Sequence, residues 1–153
     1  MHVDWVVLAS SSAGTQAGLI AGFKALGAPT RVMGIAVSGA EQETRRKLVA
    51  SLAQQSAQLL GCSSAIAEDD VVVNGDYVGA GYGLSADDVI GVVRETARLE
   101  ALLIDPVYTG KAMLGLYDLS RLGFFEQGES VVFLHTGGTP GLFAYTERFG
   151  ASE

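Results

Sequence analysis

Apolar residues first run unbroken in "WVVLA", 5–9, and then give way to a Ser/Gly cluster, the pattern of a strand buried on both faces. From Thr15 to Leu26, "TQAGLIAGFKAL" has helical spacing, and Gly27 and Pro29 close it. "RVMGIAV", 31–37, is a second β-like run. Glu41 to Leu60 reads as a long helix, with Leu48, Leu52, Leu59 and Leu60 near one face and Gly61 as the stop. Within it, Arg45-Arg46-Lys47 reads as a solvated face. A short "VVV", 71–73, precedes the glycine-rich "NGDYVGAGYGL". Ser85 is the expected cap of the next helix, with Asp87 and Asp88 in its first turn, where the helix dipole favours negative charge. "ALLI", 101–104, reads as a further buried strand, followed by a helix from about Thr109 to Leu122 and the strand-like "SVVFLH", 130–135.

Strands alternating with helices predict an α/β fold, a doubly wound and mainly parallel sheet with helices on both faces. No repeat and no internal linker divides the 153 residues, so residues 1–153 are expected to form one domain. In such sheets ligands bind beyond the carboxyl ends of the strands. That rule singles out four loops, at 10–15, 38–41, 105–109 and 135–140.

Bulk composition narrows the chemistry. A net charge of −7, with no Lys/Arg run, argues against nucleic acid or an anionic membrane surface as partner. The single Cys62 has no internal disulfide partner and no metal-ligand cluster to join, which fits a reducing cytoplasm. "MHVDWVVLAS" lacks the basic start of a signal peptide, and no apolar run approaches the roughly 18 residues of a membrane span.

The loop "SSSAGT", Ser10 to Thr15, offers backbone N–H groups at a helix N-terminus and the hydroxyls of Ser11, Ser12 and Thr15. Such a loop binds phosphate or is simply a capped turn, and it matches neither dinucleotide nor P-loop spacing. "HTGGTP", 135–140, allows close backbone approach to a flat ligand or merely a sharp turn. His135 alone reads as a hydrogen-bonded histidine at a strand end, and Tyr82 in "GAGYG" as a surface tyrosine. "DPVYTGKAM", Asp105 to Met113, puts Asp-Pro, a tyrosine and a threonine at a strand–helix junction, where a site is expected.

Taken together, "SSAGTQAGLIAG", "GYG", "DPVYTGKAMLGL" and "HTGGTPGLFAY" resemble the pyridoxal-phosphate enzymes of the D-cysteine desulfhydrase and 1-aminocyclopropane-1-carboxylate (ACC) deaminase family, in order over nearly the whole chain. The resemblance implies the large domain of fold type II enzymes, similar to the tryptophan synthase β chain. It implies pyridoxal 5'-phosphate as cofactor, its phosphate held by the loop matching Ser11, Ser12, Ala13, Gly14 and Thr15. It places Thr109 facing the pyridine nitrogen, which a hydroxyl leaves unprotonated, where the deaminase type carries a glutamate. It also places Tyr82 and Tyr108 beside a small amino-acid substrate. Thr109 and Thr136 point to the desulfhydrase branch and to β-elimination of cysteine, giving pyruvate, ammonia and sulfide.

The lysine that anchors the cofactor in the family lies in a part preceding "WVVLAS", as do a serine and an asparagine on the substrate side. Lys24, Lys47 and Lys111 do not match it, and the first two read as solvated. The chain is therefore expected to be the C-terminal, cofactor-phosphate half of such an enzyme, inactive alone. The alternative is a stand-alone, non-catalytic phosphate-binding or assembly domain, which fits a methionine just ahead of the first strand. An unrelated nucleotide or flavin binder is disfavoured by the absence of G-x-G-x-x-G. Because the family's cofactor lies between two domains, an uncovered cleft wall predicts self-association, most simply a homodimer.

Overall fold

A computed structural model describes residues 2–39, 41–62 and 65–150. Its sheet is four-stranded and wholly parallel, in the order β3-β2-β1-β4, with β1 at Trp5–Ser10, β2 at Arg31–Ala36, β3 at Val72–Asn74 and β4 at Val131–Leu134. The helices are α1 (Gly14–Ala25), α2 (Gln42–Leu59), α3 (Asp87–Glu100), α4 (Thr109–Arg121) and the short α5 (Thr146–Phe149). Short 3₁₀ segments lie at Glu68–Asp70 and Thr139–Tyr145.

The period-2 alternation of the strands sorts their side chains into two cores. Leu8, Val32 and Ala36 face α1 and α2, packing with Ala17, Ile20, Ala21, Val49 and Ala53. Trp5, Val7, Met33 and Ile35 face α4, packing with Ala112 and Leu119. α3 lies outside α4, where Val92, Val93, Ile104 and Met113 form a third cluster. Gly34 has a packing reason on the α1 side. A Cβ there would lie 2.1 Å from Oε1 of Gln16, a fully buried side chain. The Gln16 amide accepts from Ser10 Oγ (2.9 Å) and donates to the Val72 carbonyl (2.8 Å), joining β1 to β3 across β2.

Four expectations are corrected. The 101–104 segment joins no strand ladder among the described residues. Ala101 is left-handed (φ 54°) and ends α3; Leu102 and Leu103 are exposed and only Ile104 enters the core. An apolar run of that length cannot by itself tell a buried strand from an extended link. α2 does not bury its leucines as one face: only Leu52 packs, half-buried, against the core. Leu48, Leu59 and Leu60 are exposed, and the buried face is Arg45, Val49, Ala50, Ala53 and Ala57. Small alanines let α2 pack closely on α1, whose own buried face includes Ala17 and Ala21. Arg45 is consequently not part of a solvated patch; it is 4% exposed. Ser85 does not cap α3. The cap position is Ala86, and the buried Ser85 hydroxyl donates to the Pro106 carbonyl at 2.6 Å, while Asp87 and Asp88 do occupy the first turn.

Candidate active site

Parallel strands bring the carboxyl ends of β1, β2 and β4 to one side of the sheet. Pairing of Leu8 with both Gly34 and Leu134 sets the 10–15 loop beside Ser38 and Gly39 of the 38–41 loop and beside the 135–140 loop. Three of the four loops singled out by sequence thus sit together. The fourth, 105–109, is tied to them by Gly138, whose backbone (φ 93°) runs against the Asp105 carboxylate.

The 10–15 loop enters α1 through Ala13, buried and held left-handed at φ 68°. A left-handed non-glycine residue is strained, and such strain concentrates at functional sites. No side chain among the described residues caps α1, so the first N–H groups of the helix carry no hydroxyl partner there. Ser12, Gly14 and Thr15 are exposed around them. The capped-turn reading of this loop is therefore not what the structure shows. The Ser11 hydroxyl instead meets that of Ser38 at 3.0 Å, clipping the β1 and β2 loops together. Behind them lies Arg45, donating to the carbonyls of Ser11 (2.6 Å) and Ser38 (2.6 Å). Burial pulls its guanidinium below the usual arginine range. Ser38 and Arg45 escaped the sequence reading. The signal for Arg45 was present, since position 45 extends the stripe of Val49, Ala53 and Ala57 by one turn.

The second half of the site is a turn built on Asp105, a carboxylate only 1% exposed. Its Oδ2 accepts from the Val107 and Tyr108 N–H groups, both at 2.8 Å. Its Oδ1 accepts from Thr109 N–H (2.9 Å) and Thr109 Oγ1 (2.7 Å). The Thr109 hydroxyl also accepts from Asp105 N–H at 3.0 Å, and Thr109 is fully buried. Its single proton is thus held by Asp105, and the structure does not present it to a ligand.

Tyr82 and Tyr108 do come together: their hydroxyls are hydrogen-bonded and their rings meet edge to face, centroids 5.6 Å apart. That bond and partial burial hold the Tyr108 phenol above its usual pKa range, so it keeps its proton. The loop bearing Tyr82 is fastened by Lys111, whose buried ammonium donates to the carbonyls of Val78 (2.7 Å) and Gly81 (2.8 Å). The Tyr145 hydroxyl donates to Gly83 O at 2.6 Å. His135 accepts from Gly137 N–H at Nδ1 (3.1 Å), and its Nε2 lies 3.1 Å from Leu103 O, the arrangement of a structurally engaged ring. No cluster of three His, Cys, Asp or Glu side chains forms a metal site among the described residues.

The fold and these loops have known counterparts. The family model described as "Pyridoxal-phosphate dependent enzyme" matches residues 1–137. The chain belongs to this pyridoxal-phosphate-dependent family. Family membership replaces the nucleotide- or flavin-binder reading. A 1-aminocyclopropane-1-carboxylate deaminase of Burkholderia cenocepacia is 44% identical over 95% of the chain and 43% of its own length. One from Rhizobium leguminosarum bv. viciae is 38% identical over 94% of the chain and 42% of its own length. A crystal structure of an ACC deaminase homologue superposes with a TM-score of 0.84 at 36% identity, covering 95% of this chain and 43% of that one. The chain spans less than half the length of these relatives. In the family the cofactor is pyridoxal phosphate. No helix among the described residues is long and apolar enough to cross a membrane.

Proposed function

We propose that this chain forms the cofactor-phosphate half of a lyase or deaminase site for a small amino acid, with Ser11, Ser12, Ala13, Gly14 and Thr15 as the phosphate cradle. The observation that carries the reading is the uncapped N-terminus of α1, entered through a strained Ala13 and ringed by exposed Ser12, Gly14 and Thr15. Free N–H donors and the helix dipole suit a phosphate dianion. When bound, the cofactor supplies the electron sink, and the protein supplies orientation and electrostatics.

Each remaining residue has a limited part. With its proton on Asp105, Thr109 offers a ring nitrogen a lone pair, and offers a proton only after leaving that carboxylate. A ring reaching it displaces the atoms that enclose it. Tyr82 and Tyr108 share one proton in their mutual bond, which leaves one phenolic proton for a substrate's polar group. Thr109, in place of a glutamate, favours β-elimination of a D-cysteine-like substrate over deamination of ACC. None of the three lysines anchors the cofactor. Lys24 pairs with Asp70 (2.8 Å), Lys47 with Glu43 (3.3 Å), and Lys111 is buried on two carbonyls. No turnover is expected from this chain alone.

We also propose that the chain self-associates as a homodimer. The free edge of β4 and exposed Leu103, Phe124, Val132 and Phe143 support this. Light scattering at micromolar concentration is expected to give twice the chain mass; a clean monomer contradicts it.

The test of the main reading adds pyridoxal phosphate to the chain, reduces with borohydride and maps adducts by mass spectrometry. Saturable binding that inorganic phosphate competes away is expected, with no single lysine stoichiometrically labelled and no keto acid released from D-cysteine or ACC. Stoichiometric reduction onto one lysine, or binding indifferent to phosphate, overturns it.

A further inference from the structure

Among the described residues Arg45 is a buried cation without a buried anion. It takes part in none of the ion pairs formed among the described residues. Its partners are neutral: the carbonyls of Ser11 and Ser38, the Ser38 hydroxyl at 3.2 Å, and the Ser10 carbonyl at 3.4 Å. Its Nε is buried with no hydrogen-bond partner among the described residues. A charge taken out of water is costly unless a counter-charge or a full set of hydrogen bonds offsets it. Arginine does not escape by losing its proton at neutral pH.

The geometry of the amide shows what the cation does there. In a trans peptide the N–H points opposite to the C=O. Drawing the Ser11 carbonyl inward onto Arg45 turns the Ser12 N–H outward, and drawing in the Ser38 carbonyl does the same for the Gly39 N–H. Ser12 and Gly39 are both exposed. The guanidinium fork spans the two loops, and Ser11 Oγ to Ser38 Oγ closes them in front of it.

We infer that Arg45 is a positioning residue for anion binding: it turns the Ser12 and Gly39 N–H groups toward a phosphate monoester and sets a positive charge behind them. This rests on the phosphate cradle proposed above and extends it to the β2 loop. The bound phosphate is then held preferentially as the dianion, because the buried charge favours its second ionisation.

The test compares the wild-type chain, Arg45→Met and Arg45→Lys, using inorganic phosphate as probe and ³¹P NMR as readout, with folding followed by circular dichroism. Phosphate affinity is expected to fall about 10-fold in Arg45→Met, and the second ionisation of bound phosphate to move to higher pH. Lysine keeps the charge but has no fork to span two loops. Arg45→Lys is therefore expected to lose about fivefold in affinity while the ionisation stays low. A structural role alone changes thermal stability in both variants and leaves that ionisation unmoved. Folded Arg45→Met that binds phosphate like wild type, with the same titration, overturns the inference and leaves the cradle standing. If Arg45→Met does not fold, Arg45→Lys decides: wild-type affinity overturns, the fivefold loss supports. If the wild-type chain leaves phosphate unbound at tens of millimolar, the cradle fails and this inference fails with it.

Discussion

Replacing Asp105 with asparagine changes one atom at the junction on which the second half of the site hangs. The carboxylate receives four donors: Val107 N–H, Tyr108 N–H, Thr109 N–H and Thr109 Oγ1. An amide has one acceptor oxygen, so one of the two pairs must face an NH₂ group. The better orientation keeps the oxygen toward Val107 and Tyr108. Thr109 N–H then loses its partner, and the threonine hydroxyl must turn to accept. Hydrogen bonds to a charged group contribute about 1.5–3 kcal/mol each, and stranding a buried donor costs about 1–3 kcal/mol. Asp105→Asn is therefore expected to lose about 2–4 kcal/mol, a large share of the roughly 5–15 kcal/mol available to a single domain. For a chain of this size each kcal/mol lowers Tm by about 2–4 °C, which puts the drop near 5–15 °C. Asp105→Ala strands all four donors and is expected to lose more. Urea unfolding followed by circular dichroism, with slopes compared to exclude a changed denatured state, measures both. An Asp105→Asn protein within about 0.5 kcal/mol of wild type, the range of ordinary surface substitutions, refutes the claim that this carboxylate organises the turn.

Gly34→Ala puts a methyl where the Gln16 amide lies, so the glutamine must leave Ser10 and Val72. A loss of about 1–3 kcal/mol is expected, much smaller in a Gln16→Ala background; equal losses in both backgrounds refute the coupling. Lys111→Met leaves the carbonyls of Val78 and Gly81 without their donor, at a cost of about 2–3 kcal/mol. Hydrogen exchange should speed up in residues 78–84 above all, and uniform acceleration contradicts a local clamp. The hydrogen bond from Lys24 is the main cause that holds the Asp70 carboxyl below its usual range. Its folded pKa is lower than its unfolded one, so the contribution is present above the ordinary carboxylate range and is lost as pH falls through the folded value. Both side chains are about a third exposed, so about 0.5 kcal/mol is expected after screening. Asp70→Asn should remove that part of the acid dependence, and an unchanged profile argues against it.

How much of this was legible in the sequence depends on what each segment buries. β1 and β2 announced themselves because each apolar run feeds two packed faces, β4 because its run is apolar although Val132 stays exposed, and α3 because its aspartates sit in the first turn. α2 misled because leucines attract attention while close packing on α1 selects alanines. Arg45 was misassigned for a related reason: next to Arg46 and Lys47 it looks like one charge among several, although its spacing from Val49 and Ala53 puts it on the buried side. "ALLI" ended as a link because strand formation needs a neighbour's hydrogen bonds, which no local pattern supplies. The 10–15 loop and the Asp105 junction were visible as compositions. Which hydroxyl reached which partner was not, since Ser11 meets Ser38 and Ser85 meets Pro106 only through tertiary proximity.

In the function proposed above, the N-terminus of α1 is an anion cradle for the cofactor's phosphate. Amide chemical-shift mapping during a phosphate titration of the full chain tests it most directly. Saturable shifts concentrated at Ser12, Ala13, Gly14 and Thr15 are expected, reproduced by pyridoxal phosphate and smaller for pyridoxal. Shifts scattered over the lysines and arginines of the surface, or pyridoxal acting as well as its phosphate, would contradict it.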